Sequence, residues 1–245
     1  MKTASSPTPA RVVALTLALS LALALAVTHP AAAATPEQQQ QLDRALADHE
    51  RGALRPARTA FEQLARSGVP AAHHNLAVMD LASGRISAAL RHLETAAAAG
   101  FVTSQVALGE FHETGRYAPI NLPRAMAWYL KAAESGSIDA QVNIATGYYL
   151  GRGVPRDEAQ ALHWYRQAAQ GGDVGAQYLV ASMYETGRGT APDLRLAGYW
   201  YGVAAQQGDD AAAVKRDEVA QRLKAGCTTA SPASGSPAST PPHCA

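Results

Sequence analysis

The dipeptide Trp-Tyr occurs three times, at 128–129, 164–165 and 200–201, and each copy lies 36 residues from the next. The same shift carries Ala125, Ala161 and Ala197, the double alanines at 132–133, 168–169 and 204–205, and Gly136, Gly172 and Gly208. It also carries the Gly-Arg pairs at 115–116, 151–152 and 187–188, with Asn121, Asp157 and Asp193 a few residues on. A fixed period of this length marks a solenoid or array, because one unit cannot bury its apolar face alone and must stack on its neighbours. Earlier copies are worn. Gly68 and Gly100 are 32 residues apart, with Ala89, Leu90, Leu93, Ala96 and Ala97 in the equivalent places and His92 where tryptophan would fall. Before Gly68, Ala57, Phe61, Leu64 and Ala65 fit half a copy.

Within a unit the punctuation is readable. Residues 139–150, DAQVNIATGYYL, place Ala140, Ile144, Ala145 and Tyr148 at helical spacing, and the breaker GRGVPRD follows. Asp157 is placed to cap a second helix, in which Ala161, Leu162, Tyr165, Ala168 and Ala169 recur at intervals of three and four. The glycine pair at 171–172 then ends that helix and turns the chain into the next unit. The apolar content is 47% but only 6% is aromatic, so much of it is alanine, the best helix former. An all-α chain of helix pairs follows, with clear repeats at 101–136, 137–172 and 173–208, degenerate copies before them and a capping helix at 209–224.

Ala140-Gln141, Gly151-Arg152-Gly153-Val154, Asp157, Ala161, Trp164-Tyr165, Ala168-Ala169 and Gly172 together closely resemble a Sel1-like repeat, a relative of the tetratricopeptide repeat with a longer loop between its paired helices. Residues 173–208 match nearly as well, with Thr190 in place of the valine. Residues 101–136 depart at Tyr117, where glycine is usual, and at Asn121, where aspartate is; residues 69–100 lack the Gly-Arg-Gly loop. The resemblance implies a right-handed α-solenoid of antiparallel helix pairs spanning 35–225. It also implies a scaffold that binds a protein or peptide partner in its groove, without a cofactor and without catalysis. Some cysteine-rich relatives with this repeat are linked to penicillin binding and β-lactam hydrolysis, which makes a cell-wall-related enzyme the alternative. Those relatives bridge their helix pairs with cysteines inside each repeat, and this chain has none there. A secreted host-interaction factor is a further alternative.

The two ends are read separately. Lys2 and Arg11 precede the apolar run 12–27, and Ala32-Ala33-Ala34 offers a cleavage site, so residues 1–34 read as a bacterial signal peptide and the product as periplasmic or secreted. The run is shorter than the roughly 18 apolar residues of a spanning helix, so no membrane span is expected after cleavage. Removing 1–34 takes away two of the 21 basic residues and none of the 20 acidic ones, which leaves the chain near neutral. With no Lys/Arg cluster either, nucleic acid is not an expected partner. Residues 226–245 are rich in Pro, Ser, Ala and Gly and read as a disordered tail. That tail holds both cysteines, Cys227 and Cys244, which can pair in an oxidising compartment; intermolecular pairing and free thiols stay open.

Motifs that could carry chemistry are few. The Gly-Arg-Gly loops follow no strand and lack the Lys-Ser/Thr end of a phosphate loop, so tight turning explains them. His73-His74 are adjacent and so point to different sides of a helix, and His112-Glu113 opens an HExxH-like string that ends in Arg116. No Gly-x-Ser-x-Gly or Ser-x-x-Lys occurs. Neither a catalytic nor a metal site is expected. The Trp-Tyr pairs read as packing, since one buried ring contributes on the order of 4 to 6 kcal/mol gross, an upper bound. Gln105, Gln141 and Gln177 recur and so belong to the repeat's structure. Partner contacts are expected where first-helix residues differ between copies: His73, His112, Asn143, Tyr148, Tyr178 and Tyr184.

Overall fold

The structure, a computed structural model, describes residues 34–229, with side chains described to 225. The leader expected over 1–34, apart from Ala34, lies outside the described residues. So do Cys244 and the side chain of Cys227, and their pairing remains an expectation.

The described residues form eleven helices and no strand: α1 (Pro36–Glu50), α2 (Leu54–Arg66), α3 (Pro70–Ala82), α4 (Ile86–Ala98), α5 (Val102–Thr114), α6 (Leu122–Glu134), α7 (Ile138–Leu150), α8 (Glu158–Gln170), α9 (Val174–Thr186), α10 (Leu194–Gln206) and α11 (Asp210–Thr229). Each packs on its neighbours in sequence, the one-dimensional arrangement of a solenoid. The half copy before Gly68 is the second member of a complete pair. Its partner α1 starts on a reciprocal cap, in which Thr35 Oγ1 accepts from the Gln38 N–H and Gln38 Oε1 accepts from the Thr35 N–H. At the other end α11 runs past the expected stop at 224 to Thr229, through residues assigned to the tail. A single glycine, Gly226, weakens a helix without ending one, and the first helix-terminating proline is Pro232.

One backbone bond closes every hairpin. The residue before each second helix donates its N–H to a carbonyl near the end of the first helix: Ala53 to Asp48, Arg85 to Asp80, Asn121 to His112, Asp157 to Tyr148 and Asp193 to Tyr184, at 2.7–2.9 Å. The two partners are five residues apart in the first two hairpins and nine in the other three. Those four extra residues are the difference between the 32- and 36-residue periods, so the long loop is an insertion between the ends of one retained bond. Where it is present, Asn121, Asp157 and Asp193 also cap the second helix, accepting from the N–H groups of Arg124, Gln160, and Arg195 and Leu196 at 2.9–3.0 Å.

Units are joined by side chains that the repeat carries along. Gln105, Gln141 and Gln177 are buried, and each donates through Nε2 to a carbonyl in the last turn of the preceding helix: Ala97, Ala133 and Ala169, at 3.1–3.3 Å. Those carbonyls lie past the last i+4 bond and accept the turn N–H of Gly100, Gly136 and Gly172, and the glutamine adds a cap from the next unit. The second glycine of each Gly-Arg-Gly loop lies against the unit before. A Cβ on Gly153 would stand 2.5 Å from the Leu122 carbonyl oxygen, and one on Gly189 2.2 Å from that of Glu158, and both backbones have φ of +72°.

Candidate functional site

The three Trp-Tyr pairs split as a 100° rotation per residue requires. Tyr129, Tyr165 and Tyr201 are buried, whereas Trp128, Trp164 and Trp200 are half-buried at unit boundaries. Trp164 packs against both the α6–α7 core and the α8–α10 core, so it joins two units. Each tyrosine hydroxyl turns back onto its own first helix. Tyr129 donates to Glu113 Oε2 at 2.9 Å and Tyr201 to Glu185 Oε2 at 3.0 Å, while Tyr165 pairs with Thr146 Oγ1 at 2.8 Å. Burial, and then the carboxylate bond, push the Tyr129 and Tyr201 phenols up, so they stay neutral donors.

Tyr165 differs because the middle unit differs. Position 149, the counterpart of Glu113 and Glu185, is tyrosine. In each of the three long-loop units this position meets an arginine from further along the chain: Arg152 Nη2 of the next loop lies 3.3 Å from Glu113, Arg222 of α11 pairs with Glu185, and Arg188 of the last loop donates to the Tyr149 hydroxyl with its guanidinium carbon 5.7 Å from that ring's centre. Two junctions are therefore neutralised ion pairs. At the third, Arg188 faces a phenol, and no described carboxylate forms an ion pair with it.

That third junction is also open. A cavity of about 150 Å³ lies between α7 and α9, floored by Tyr165 of α8 and lined by Thr146, Tyr149, Leu150, Leu179, Ser182, Met183 and Arg188. Leu150 and Leu179 are exposed at its rim. The walls are largely apolar, with hydroxyls at the floor and one guanidinium at the edge. A second cavity, of about 250 Å³, lies between α1, α2 and α3 and is lined by Leu54, Met79 and Ala82 with His49, Arg55, Arg58 and Arg85. Behind it Asp80 is fully buried, and its Oδ1 accepts from Arg58 at 2.7 Å and from Arg85 at 2.8 and 3.0 Å.

The six residues expected to meet a partner fall in different places. Asn143 lies on the open face of α7, in line with Asp139, Thr146 and Leu150. His73 is half-buried, with Nδ1 3.0 Å from Nδ1 of His92. His112 is only 6% exposed, with Nδ1 3.4 Å from the Pro119 carbonyl, and Tyr184 is 8% exposed within the core, so neither presents its ring to solvent. Tyr148 packs into the cores on either side of it, and Tyr178 stacks edge-on against Tyr201 with centres 5.2 Å apart. The structure thus keeps three of the tyrosines in the packing and sets their neighbours Tyr149 and Leu179 on the cavity. Helical register carries that distinction: Tyr148 continues the stripe Ala140, Ile144 and Ala145, and Tyr149 steps off it.

The described residues contain no group of three or more His, Cys, Asp and Glu side chains placed to hold a metal ion, and no helix long and apolar enough to cross a membrane. The sequence profile of the Sel1 repeat matches residues 102–137, 138–173 and 174–209. Among solved structures, a protective antigen present in uropathogenic Escherichia coli strains and displaying an SLR fold is similar over 78% of this chain, with 25% identity and a TM-score of 0.67. The match spans 42% of that protein's length. A Sel1 repeat protein from Oxalobacter formigenes is 36% identical over 53% of this chain and 97% of its own, with a TM-score of 0.49. No curated protein matches the chain.

Proposed function

This chain belongs to the Sel1-repeat family, and from that premise we propose that it is a non-enzymatic scaffold of the bacterial envelope that holds a partner protein or peptide on the open face of its first helices. Sel1 repeats generally mediate protein–protein interaction. The observation that carries the reading here is the cavity between α7 and α9, whose rim exposes Leu150 and Leu179 side by side with the polar groups of Tyr149 and Arg188. A concave apolar patch with a few fixed polar groups is the form that binding sites take. The envelope placement rests on the leader read at 1–34. It is supported by the Escherichia coli relative, described as a protective antigen.

The test is affinity capture from an envelope fraction by the tagged protein, compared with the Leu150→Asp, Leu179→Asp double variant. Both substitutions sit at exposed positions, so the melting temperature should move by no more than about 2–4 °C. Capture should fall by about tenfold or more, as expected when contact residues of an interface are disrupted. Equal capture by the two proteins would refute the α7–α9 face as the site.

A further inference from the structure

The junction between α7 and α9 differs from its two neighbours in one chemical respect, and that difference specifies what the partner must bring. Arg152 meets Glu113 and Arg222 of α11 meets Glu185, so both flanking junctions neutralise a cation with a carboxylate of the preceding first helix. At the middle junction Tyr149 replaces that carboxylate. Arg188 is held in place by the Tyr149 hydroxyl and ring but is not neutralised by them. A guanidinium carries five N–H donors in a planar fork matched to a carboxylate, and fixing it beforehand lowers the ordering cost of binding. Beside it lies the apolar cavity, with Leu150 and Leu179 at the rim and Met183 in the wall.

We propose that this junction is a docking site for an acidic-aliphatic peptide segment of a partner protein, whose carboxylate takes the place of the missing glutamate on Arg188 while a neighbouring aliphatic side chain enters the cavity. The proposal rests on the scaffold reading above and adds the chemistry of the ligand. The acid bridges Arg188 through charge-assisted hydrogen bonds at the edge of a low-dielectric pocket, where they are stronger than on an open surface. The adjoining junctions are closed to the same ligand because Glu113 and Glu185 already occupy their arginines.

Three of the four methionines supply the readout. Met183 lines this cavity, Met79 lines the arginine-rich cavity between α1 and α3, and Met126 is buried beside Gly147. Protein labelled with carbon-13 at the methionine methyl groups is titrated with a capped hexapeptide of alternating leucine and aspartate, and separately with the same peptide carrying asparagine. The acidic peptide should shift the Met183 methyl saturably and leave Met79 and Met126 in place, with the asparagine peptide binding about tenfold or more weakly. Arg188→Gln should weaken the acidic peptide to the level of its amide. Tyr149→Glu, which restores the pattern of the neighbouring junctions, should do the same by neutralising Arg188 internally, while Arg152→Gln should change nothing. Circular dichroism melts of each variant establish that it is folded.

Equal binding of the two peptides, unaltered binding by Tyr149→Glu, shifts centred on Met79, or no shift at all would overturn the proposal. The scaffold reading fails separately, through equal capture by the Leu150→Asp, Leu179→Asp variant, so the two can be told apart.

Discussion

The hairpins α1–α2 and α3–α4 solve the same closure problem as α5–α6, α7–α8 and α9–α10 with different chemistry. Both sets keep the backbone bond from the start of the second helix to the end of the first. In the first set the turn is short, the N-cap residues Ala53 and Arg85 make no side-chain cap bond, and the α3–α4 turn is tied by the partly exposed Arg58 and Arg85 on the buried carboxylate of Asp80. In the second set the turn is four residues longer and an Asn or Asp caps the second helix, and in the α7–α8 and α9–α10 loops the second glycine lies against the preceding unit. The lesson is that the longer loop is an inter-unit contact as well as a connection. It brings Arg152 and Arg188 onto the preceding first helix, and the short hairpins have no counterpart to it.

The comparison is broken most forcefully at Asp80. Asp80→Ala removes the buried carboxylate and leaves the partly exposed Arg58 and Arg85 without their acceptor, and a loss of about 3 kcal/mol in chemical denaturation, the low end for a broken buried pair, is expected. Burial alone would raise the Asp80 pKa. The bonds from Arg58 and Arg85 outweigh it and hold the carboxyl below its ordinary value. A carboxyl depressed in this way stabilises fully above its unfolded pKa, and that contribution is lost as the pH falls through the lower folded value, below about pH 4. A melt monitored from pH 7 to pH 2 should therefore lose an acid-sensitive component in the Asp80→Ala protein.

A paired substitution tests the loops. Gly189→Ala combines a positive φ with a collision on the Glu158 backbone and should cost about 2–4 kcal/mol, whereas Gly84→Ala has a similar φ but nothing within 4 Å and should cost about 1 kcal/mol. Equal costs would remove the inter-unit role from the long loop. Apart from the Gly84→Ala reference, the smallest effect is expected at Trp164. It is half-buried, so Trp164→Ala should cost about 2 kcal/mol, below the 3–5 kcal/mol usual for a fully buried aromatic. Its mark should be loosened amide exchange on both sides of the boundary between the α5–α6 and α7–α8 pairs.

The fold was legible in the sequence where the repeat is strict. The Trp-Tyr, Ala-Ala and Gly-Arg-Gly signals place α5 to α10, and the recurrence of Gln105, Gln141 and Gln177 already marked them as structural. Before residue 100 the long loop is gone, and the two shorter pairs are marked by the spacing of Gly52, Gly68, Gly84 and Gly100, 16 residues at each step, and by small and apolar residues such as Ala57, Phe61, Ala89 and Leu93 in the equivalent places. The binding face was less legible. Variation between copies drew attention to Tyr148, Tyr178 and Tyr184, yet variation also occurs in a core, where a large ring in one unit fills space taken by another residue in the next. The variation on which the proposed site turns is at position 149, where glutamate gives way to tyrosine. Its meaning depends on an arginine 39 residues away, a contact visible only once the units are stacked.

The central claim is that partners bind the first-helix face between α7 and α9. The most direct measurement replaces one residue at a time with a photocrosslinking phenylalanine analogue, at Tyr149 or Leu179 on that face and at Tyr199, which is 60% exposed on the second helix α10. After irradiation in the envelope, a discrete crosslinked product at positions 149 and 179, with none at 199, is the predicted result. A product at 199 alone, or none at 149 and 179, would contradict the account.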